Sequence, residues 1–448
     1  MSTDPAGGAT EHAPRAGRGG VRFWRSSLIV CAVLAVTALG LGAAGVVRPP
    51  SLVSATIAAD RAVGAAGERL VMKARLPLAS VDSEQIAVTP AVPFTVQTSD
   101  SVVTLRFTAP LAYDTDYRVA IAGVRSQYTN TTADWSYTFS TPPTVLYSLI
   151  AHRGDQADDD TVVSNDQGRT RTLLTAPGIE SYVATRRLLV AISHTGPDSS
   201  VLVAADRTTG AAVQVATPAT GLNAAPDGGK FGYVVTGSDA GRSYQSTLFV
   251  ANSADPTTAP VEVTAGGPPL AVQEWLFVPG VDAVVVITPQ EQAFLIYLDG
   301  GTPPVPLGSL GQLIGFLPGS SMLMAEAGGK QVLLDLASGL NTDVPNTPDP
   351  DKQTFAGRRS FRAVGDCLVE FNTFKQHGGG TGVTTRLANV TRAGTTDLLT
   401  VEDGQGQLLN SGLSPNGQFA WAVVLDPDAP LTDLSSGASD NARTVIFD

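Results

Sequence analysis

The chain has 448 residues, of which 43% are hydrophobic and 16% charged, too long for one small core and too apolar for a disordered polymer. Its net charge is −12, and because residues 1–48 carry five Arg against Asp4 and Glu11, the remaining 400 residues carry −15. An acidic body with no basic stripe repels phosphate backbones, so nucleic acid is not an expected partner.

Residues 1–26, rich in Gly and Ala with scattered charge, read as a disordered cytoplasmic tail. Leu28 to Val47 follow without a charge and with only Thr37 as a polar interruption. About twenty residues at 1.5 Å each span a bilayer core, so residues 27–48 are expected to form a transmembrane helix. Arg15, Arg18, Arg22 and Arg25 precede it and Trp24 sits at the interface, which places the N-terminus in the cytoplasm and the bulk outside. A cleaved signal peptide is the competing reading, because Gly42-Ala43-Ala44 offers small residues to a peptidase.

From Pro49 to Pro143 the pattern changes to short alternating strands. Val103, Leu105 and Phe107 fall on one face, as do Tyr117, Val119 and Ile121, and then Trp135, Tyr137 and Phe139. Turn residues every 8–12 positions fit a β-sandwich. The stretches Leu111-Ala112-Tyr113-Asp114-Thr115-Asp116-Tyr117-Arg118-Val119 and Tyr137-Thr138-Phe139-Ser140-Thr141 resemble bacterial Ig-like domains of the surface-layer SbsA type. That resemblance implies a stalk or spacer at the cell surface.

Residues 144–448 repeat themselves. Ala225-Pro226-Asp227-Gly228 precedes one apolar strand and Ser414-Pro415-Asn416-Gly417 another, with shorter versions at Val278-Pro279-Gly280 and Leu317-Pro318-Gly319. Pro sets φ for the turn, Asp or Asn tolerates the next position, and Gly supplies positive φ before the strand leaves. A second element, an apolar strand ending in Asp with a turn to Gly, recurs at Asp206 to Gly210 and Asp335 to Gly339. A strand-built period of 40–50 residues predicts propeller blades, six or seven of them. The turns resemble those of TolB-like and WD-repeat-like propellers. The expected architecture is therefore all-β with one N-terminal transmembrane α-helix, an Ig-like β-sandwich and a β-propeller. The chain stops after Val445-Ile446-Phe447-Asp448, the strand-plus-Asp element with no fourth strand, which suggests that the last blade is incomplete.

Chemistry-bearing residues are sparse. His12, His152, His194 and His377 lie far apart with no partner at metal-ligand spacing. The body has a single thiol, Cys367, in an apolar setting expected to be core, while Cys31 lies in the anchor. Asp155, Asp158, Asp159 and Asp160 form an acidic loop that could ligate Ca²⁺, although no D-x-D-x-D-G spacing is present and a solvated turn is the favoured reading. Ser164 to Thr170, with Asp166 and Gly168, resembles the Asp-box turn of sialidase-type propellers, a structural turn remote from any active site. No G-x-S-x-G elbow is present, and the glycines of residues 375–382 follow no phosphate-binding pattern. No catalytic residue and no cofactor are expected.

These features favour a binding or scaffold protein of the bacterial cell envelope, held in the membrane by residues 28–47. Its propeller would offer a surface to a protein or glycan on an Ig-like spacer. The alternative is an envelope hydrolase or lyase of glycosidase type, which requires two carboxylates about 5–10 Å apart in the propeller channel. A transmembrane sensor is the weakest reading, because the tail is too short for an output domain.

Overall fold

The computed structural model describes residues 28–37, 49–128, 131–150, 159–166, 169–196, 199–239, 241–267, 269–344, 353–377, 380–425, 427 and 442–447. Residues 28–37 are helical, and the Thr37 hydroxyl donates to the Val33 carbonyl at 2.7 Å. Ten helical residues rise about 15 Å, half a bilayer core. Among the described residues no helix is long and apolar enough to cross a membrane. The tail and the remainder of the expected span, residues 38–47, lie outside the described residues.

The first domain is a sandwich of two antiparallel sheets. One contains β1 (Leu52–Thr56), β2 (Arg69–Ala74), β4 (Phe94–Ser99) and β5 (Val102–Phe107) in the order β1-β2-β5-β4. The other contains β3 (Ile86–Thr89), β6 (Asp116–Arg125) and β7 (Thr132–Ser140) in the order β3-β6-β7. Alternation along the strands delivers Val103, Leu105, Phe107, Tyr117, Val119, Ile121 and Trp135 to a common core. Tyr137 and Phe139, on the same face of β7, pack against its edge. The Trp135 indole N–H donates to the Pro50 carbonyl at 2.9 Å, tying the domain's entry to its core.

Residues 146–447 form seven antiparallel sheets in sequence order. The first (146–176) and last (407–447) have three strands, and the five between them (179–216, 220–262, 274–309, 312–343, 354–401) have four. Each sheet is a simple meander, and the first strands of successive sheets touch from the second sheet to the seventh. The Trp275 indole donates to the Gly221 carbonyl at 2.9 Å and the Leu313 amide donates to Glu274 at 2.7 Å, so inner strands are bonded across sheets. Contact through one edge strand per sheet is the radial packing of a propeller, of which the described residues form seven sheets. Blade cores alternate between neighbouring sheets: Val190, Ile192, Phe231 and Tyr233 share one cluster, and Val285, Ile287, Leu323 and Ala325 another. Cys367 is buried beside Val369, Phe371 and Ala388, as its apolar flanks predicted.

The strand-plus-Asp elements are turns from third to fourth strand in which the carboxylate collects nearby donors. Asp206 accepts the Thr208 and Thr209 amides at 2.9 Å, and Arg187 Nε donates to it at 2.8 Å. Asp299 accepts Thr302 Oγ1 at 2.6 Å and the Gly301 and Thr302 amides. The same pattern recurs at Asp255 and Asp335. Donors favour the charged carboxylate, so all four titrate below the ordinary Asp range, Asp299 at about 2. A depressed native pKa contributes stability above the unfolded pKa of about 4 and loses it as pH falls through the native value. Urea midpoints should therefore fall between about pH 4 and pH 2, and Asp299→Asn should lower the neutral-pH midpoint and make that fall shallower.

Candidate functional site

In an antiparallel meander alternate turns leave opposite faces of the ring. The Pro-containing turns join first to second strands and therefore gather on one face. In Ala225-Pro226-Asp227-Gly228 the Gly228 amide donates to the Ala225 carbonyl at 2.7 Å with φ +65° at Gly228. The Gly417 amide repeats this with Ser414 at 2.8 Å and φ +71°. Both have Pro in the second position and Gly in the fourth, as a type I turn prefers. In Val278-Pro279-Gly280 and Leu317-Pro318-Gly319 the Gly is third, with φ of +72° and +67°, as in type II.

The Ig-like domain sits on this face of turns. Its loop 110–115 is built first from within: the Ala112 amide donates to the Tyr117 hydroxyl at 2.9 Å, Thr141 Oγ1 donates to the Ala112 carbonyl at 2.7 Å, and the Leu111 amide donates to Ala62 at 2.8 Å. So braced, the loop meets the seventh blade. Asn416 Nδ2 donates to the Leu111 carbonyl at 3.0 Å, the Tyr113 amide donates to Gln418 Oε1 at 2.8 Å, and the Tyr113 and Phe419 rings lie 6.2 Å apart. Pro110 backs Gly319 of the fifth blade so closely that a side chain there would overlap the proline ring. Ala66 faces Gly280 of the fourth blade, and Gly64 lies against the Pro226 carbonyl of the third. Burial raises the Tyr113 hydroxyl above its usual pKa, with a smaller push from Tyr147 of the first blade.

Among the described residues, two cavities lie near these elements. The larger, about 440 Å³, is a groove on the Ig-like domain lined by Thr56, Arg61, Glu68 and Arg69 among others. Its Arg61 and Glu68 neutralise each other at 2.9 Å, and that hydrogen bond raises the Arg61 pKa. The second, about 220 Å³, lies where the inner strands of blades five, six and seven converge beside the docked loop. Phe316, Met324, Phe361 and Leu413 give it apolar walls, Arg359 and Ser360 its polar groups, and Pro318 and Pro415 its end nearest the Ig-like domain. Neither cavity is lined by two carboxylates.

The other residues singled out from sequence are dispersed. Asp155 and Asp158 lie outside the described residues, Asp159 is exposed, and Asp160 is buried and accepts the Ile179 amide at 2.6 Å. Asp160 thus bonds the first blade to the second. Among the described residues no group of three or more His, Cys, Asp or Glu is placed to hold a metal ion. Asp166 ends its strand opposite Arg169, and Gly168 lies outside the described residues. His194 is exposed and pairs with Glu180 at 2.9 Å. His12 and His152 lie outside the described residues, and His377 ends a strand. Sequence reasoning missed Gly64, Pro110 and Gln418, whose partners lie up to 305 residues away. It also passed over Arg358-Arg359-Ser360-Phe361-Arg362, where three cations within five residues of an acidic body were a legible signal.

Residues 46–141 match the family model described as a bacterial Ig-like domain. No curated protein matches the chain. Among solved structures, TolB from Acinetobacter baumannii is 14% identical, with 73% of this chain and 86% of that one covered and a TM-score of 0.36. The WD40 repeats of RRP9 are 12% identical, with coverage of 82% and 99% and a TM-score of 0.37. An acylaminoacyl peptidase from Pyrococcus horikoshii is 10% identical, with coverage of 69% and 47% and a TM-score of 0.37. At such scores the propeller assignment rests on this chain's own sheet order.

The close fit at Gly64 gives a direct test of the joint. A Cβ there would stand 2.5 Å from the Pro226 carbonyl oxygen, which does not yield, and Gly64 is not among the positive-φ glycines. Gly64→Val should cost about 1–3 kcal/mol of docking through overpacking. Limited proteolysis should then cut between residues 141 and 146 several-fold faster than in the parent, with both domains remaining as resistant cores.

Proposed function

We propose that this protein is a membrane-anchored binding or scaffold protein of the bacterial cell envelope, with its Ig-like domain and propeller outside the membrane and its N-terminus in the cytoplasm. The observation that carries the reading is the joint between the domains. Bonds to blade seven and close packing on blades three, four and five make the Ig-like domain a fixed base, not a hinge. A base of this kind holds the opposite face of the propeller at a set height and orientation. That face carries the hairpins between second and third strands, the longest being Asp366–His377 with Gly380–Thr391. The uncharged run Leu28–Val47 behind four arginines supports the anchor.

Two measurements test this. After carbonate washing the full chain should remain with membranes, and external protease should digest residues 49–448 while sparing an N-terminal tag. Cross-linking in intact cells should then capture a reproducible envelope protein or glycan that is lost when residues 144–448 are deleted. Release by carbonate defeats the anchor. A capture unchanged by deleting the propeller defeats the binding surface.

A further inference from the structure

The run Arg358-Arg359-Ser360-Phe361-Arg362 lies on the inner strand of the sixth blade. Two of its three cations are committed. Arg358 bonds Asn410 and faces Glu370 at 3.8 Å. Arg362 donates to Asn389 at 2.6 Å and to the Gly417 carbonyl at 3.0 Å, with Asp366 at 3.9 Å. Arg359 differs. Its Nε is buried without a hydrogen-bond partner, and among the described residues no carboxylate forms an ion pair with it.

Irregular pairing on both sides of this residue, between Ala356 and Arg359 and between Phe361 and Ala363, frees the strand from the regular ladder. Such bulges re-aim side chains. Phe361, two residues on and on the same face, packs against Leu317, Met324 and Leu333 of the fifth blade. Arg359 is thereby directed toward the 220 Å³ cavity that it lines. A buried donor without a partner costs about 1–3 kcal/mol, more when it is charged. Arg359 is half-buried, and an acceptor in the cavity would satisfy its buried Nε.

We propose that this cavity is a receptor for a carboxylate carried on an apolar stem, with the Arg359 guanidinium supplying the counter-charge. The planar fork of guanidinium matches a carboxylate in two parallel bonds. Phe316, Met324, Phe361 and Leu413 receive the stem. The cavity is smaller than the roughly 300–1,000 Å³ of sites for whole drug-sized ligands, so it takes one terminal group. A free carboxylic acid and a peptide's C-terminal residue share that chemistry.

The test uses the full chain in detergent and isothermal titration calorimetry. Hexanoate represents the free acid, and acetyl-alanyl-leucine represents the peptide terminus. Hexanamide and the C-terminally amidated dipeptide are their uncharged counterparts. At least one carboxylate should bind saturably, and its amide should bind about tenfold more weakly, the equivalent of about 1.4 kcal/mol. The tighter of the two acids identifies the source. Arg359→Gln should weaken binding by at least tenfold and Arg359→Lys by less, because lysine restores the charge but not the fork. Leu413→Trp fills the cavity with Arg359 in place and should also abolish binding, which keeps the proposal testable if Arg359→Gln fails to fold. Failure of both acids to bind, or equal affinity in the parent and a folded Arg359→Gln or Leu413→Trp variant, overturns it. Envelope-partner capture is scored separately, so loss of one result leaves the other standing.

Discussion

The bond from Asn416 to the Leu111 carbonyl and the bond from the Tyr113 amide to Gln418 hold the two domains together. They can do so because the loop that presents Leu111 and Tyr113 is fixed beforehand by the Tyr117 hydroxyl and Thr141. A loop already ordered within its own domain loses little conformational freedom on docking, so more of the contact energy remains as net stability. The same site bears on closure of the ring. The first and last blades each have three strands and share none among the described residues. Tyr113 packs on Phe419 of the last blade, and Tyr147 of the first adds to the rise in its pKa.

This arrangement alters what an Ig-like domain is expected to do here. A spacer in series with its cargo leaves both ends of the cargo free to move. In this chain the sandwich covers the face where the Pro-containing turns gather, and the second-to-third hairpins occupy the other. The turns that mark each blade in the sequence are the floor on which the sandwich stands. Their glycines meet two demands at once, a positive φ at Gly280 and Gly319 and room for a neighbouring backbone or proline ring.

Charge is distributed with similar economy. Most ion pairs are exposed and contribute little on their own, but Asp206 combines turn formation with a bond to Arg187, and Asp160 is buried to bond the first blade to the second. Within its own strand Arg359 stands apart, since it lines a largely apolar cavity while Arg358 and Arg362 have side-chain partners.

The strands of the sandwich were legible because one face of each is buried and alternation of period two is a local property: Val103, Leu105 and Phe107, and Tyr117, Val119 and Ile121, all lie where their spacing put them. The propeller was legible because four blades, those at 220–262, 274–309, 312–343 and 407–447, repeat a turn whose φ demands select Pro and Gly. The count of seven, which the sequence left at six or seven, was decided by pairing, since the blades at 179–216 and 354–401 form without the Pro-x-Gly signature. Tertiary structure alone decided where the domains meet and where the cavity lies. Gly64 reads as an ordinary glycine and Gln418 as an ordinary polar residue until residues from distant parts of the chain are brought against them. Asp160, read as part of an acidic loop, proved to be a buried acceptor because its neighbours in space are not its neighbours in sequence. Local periodicity is written residue by residue along the chain, whereas a docking surface or a cavity exists only where separate segments converge.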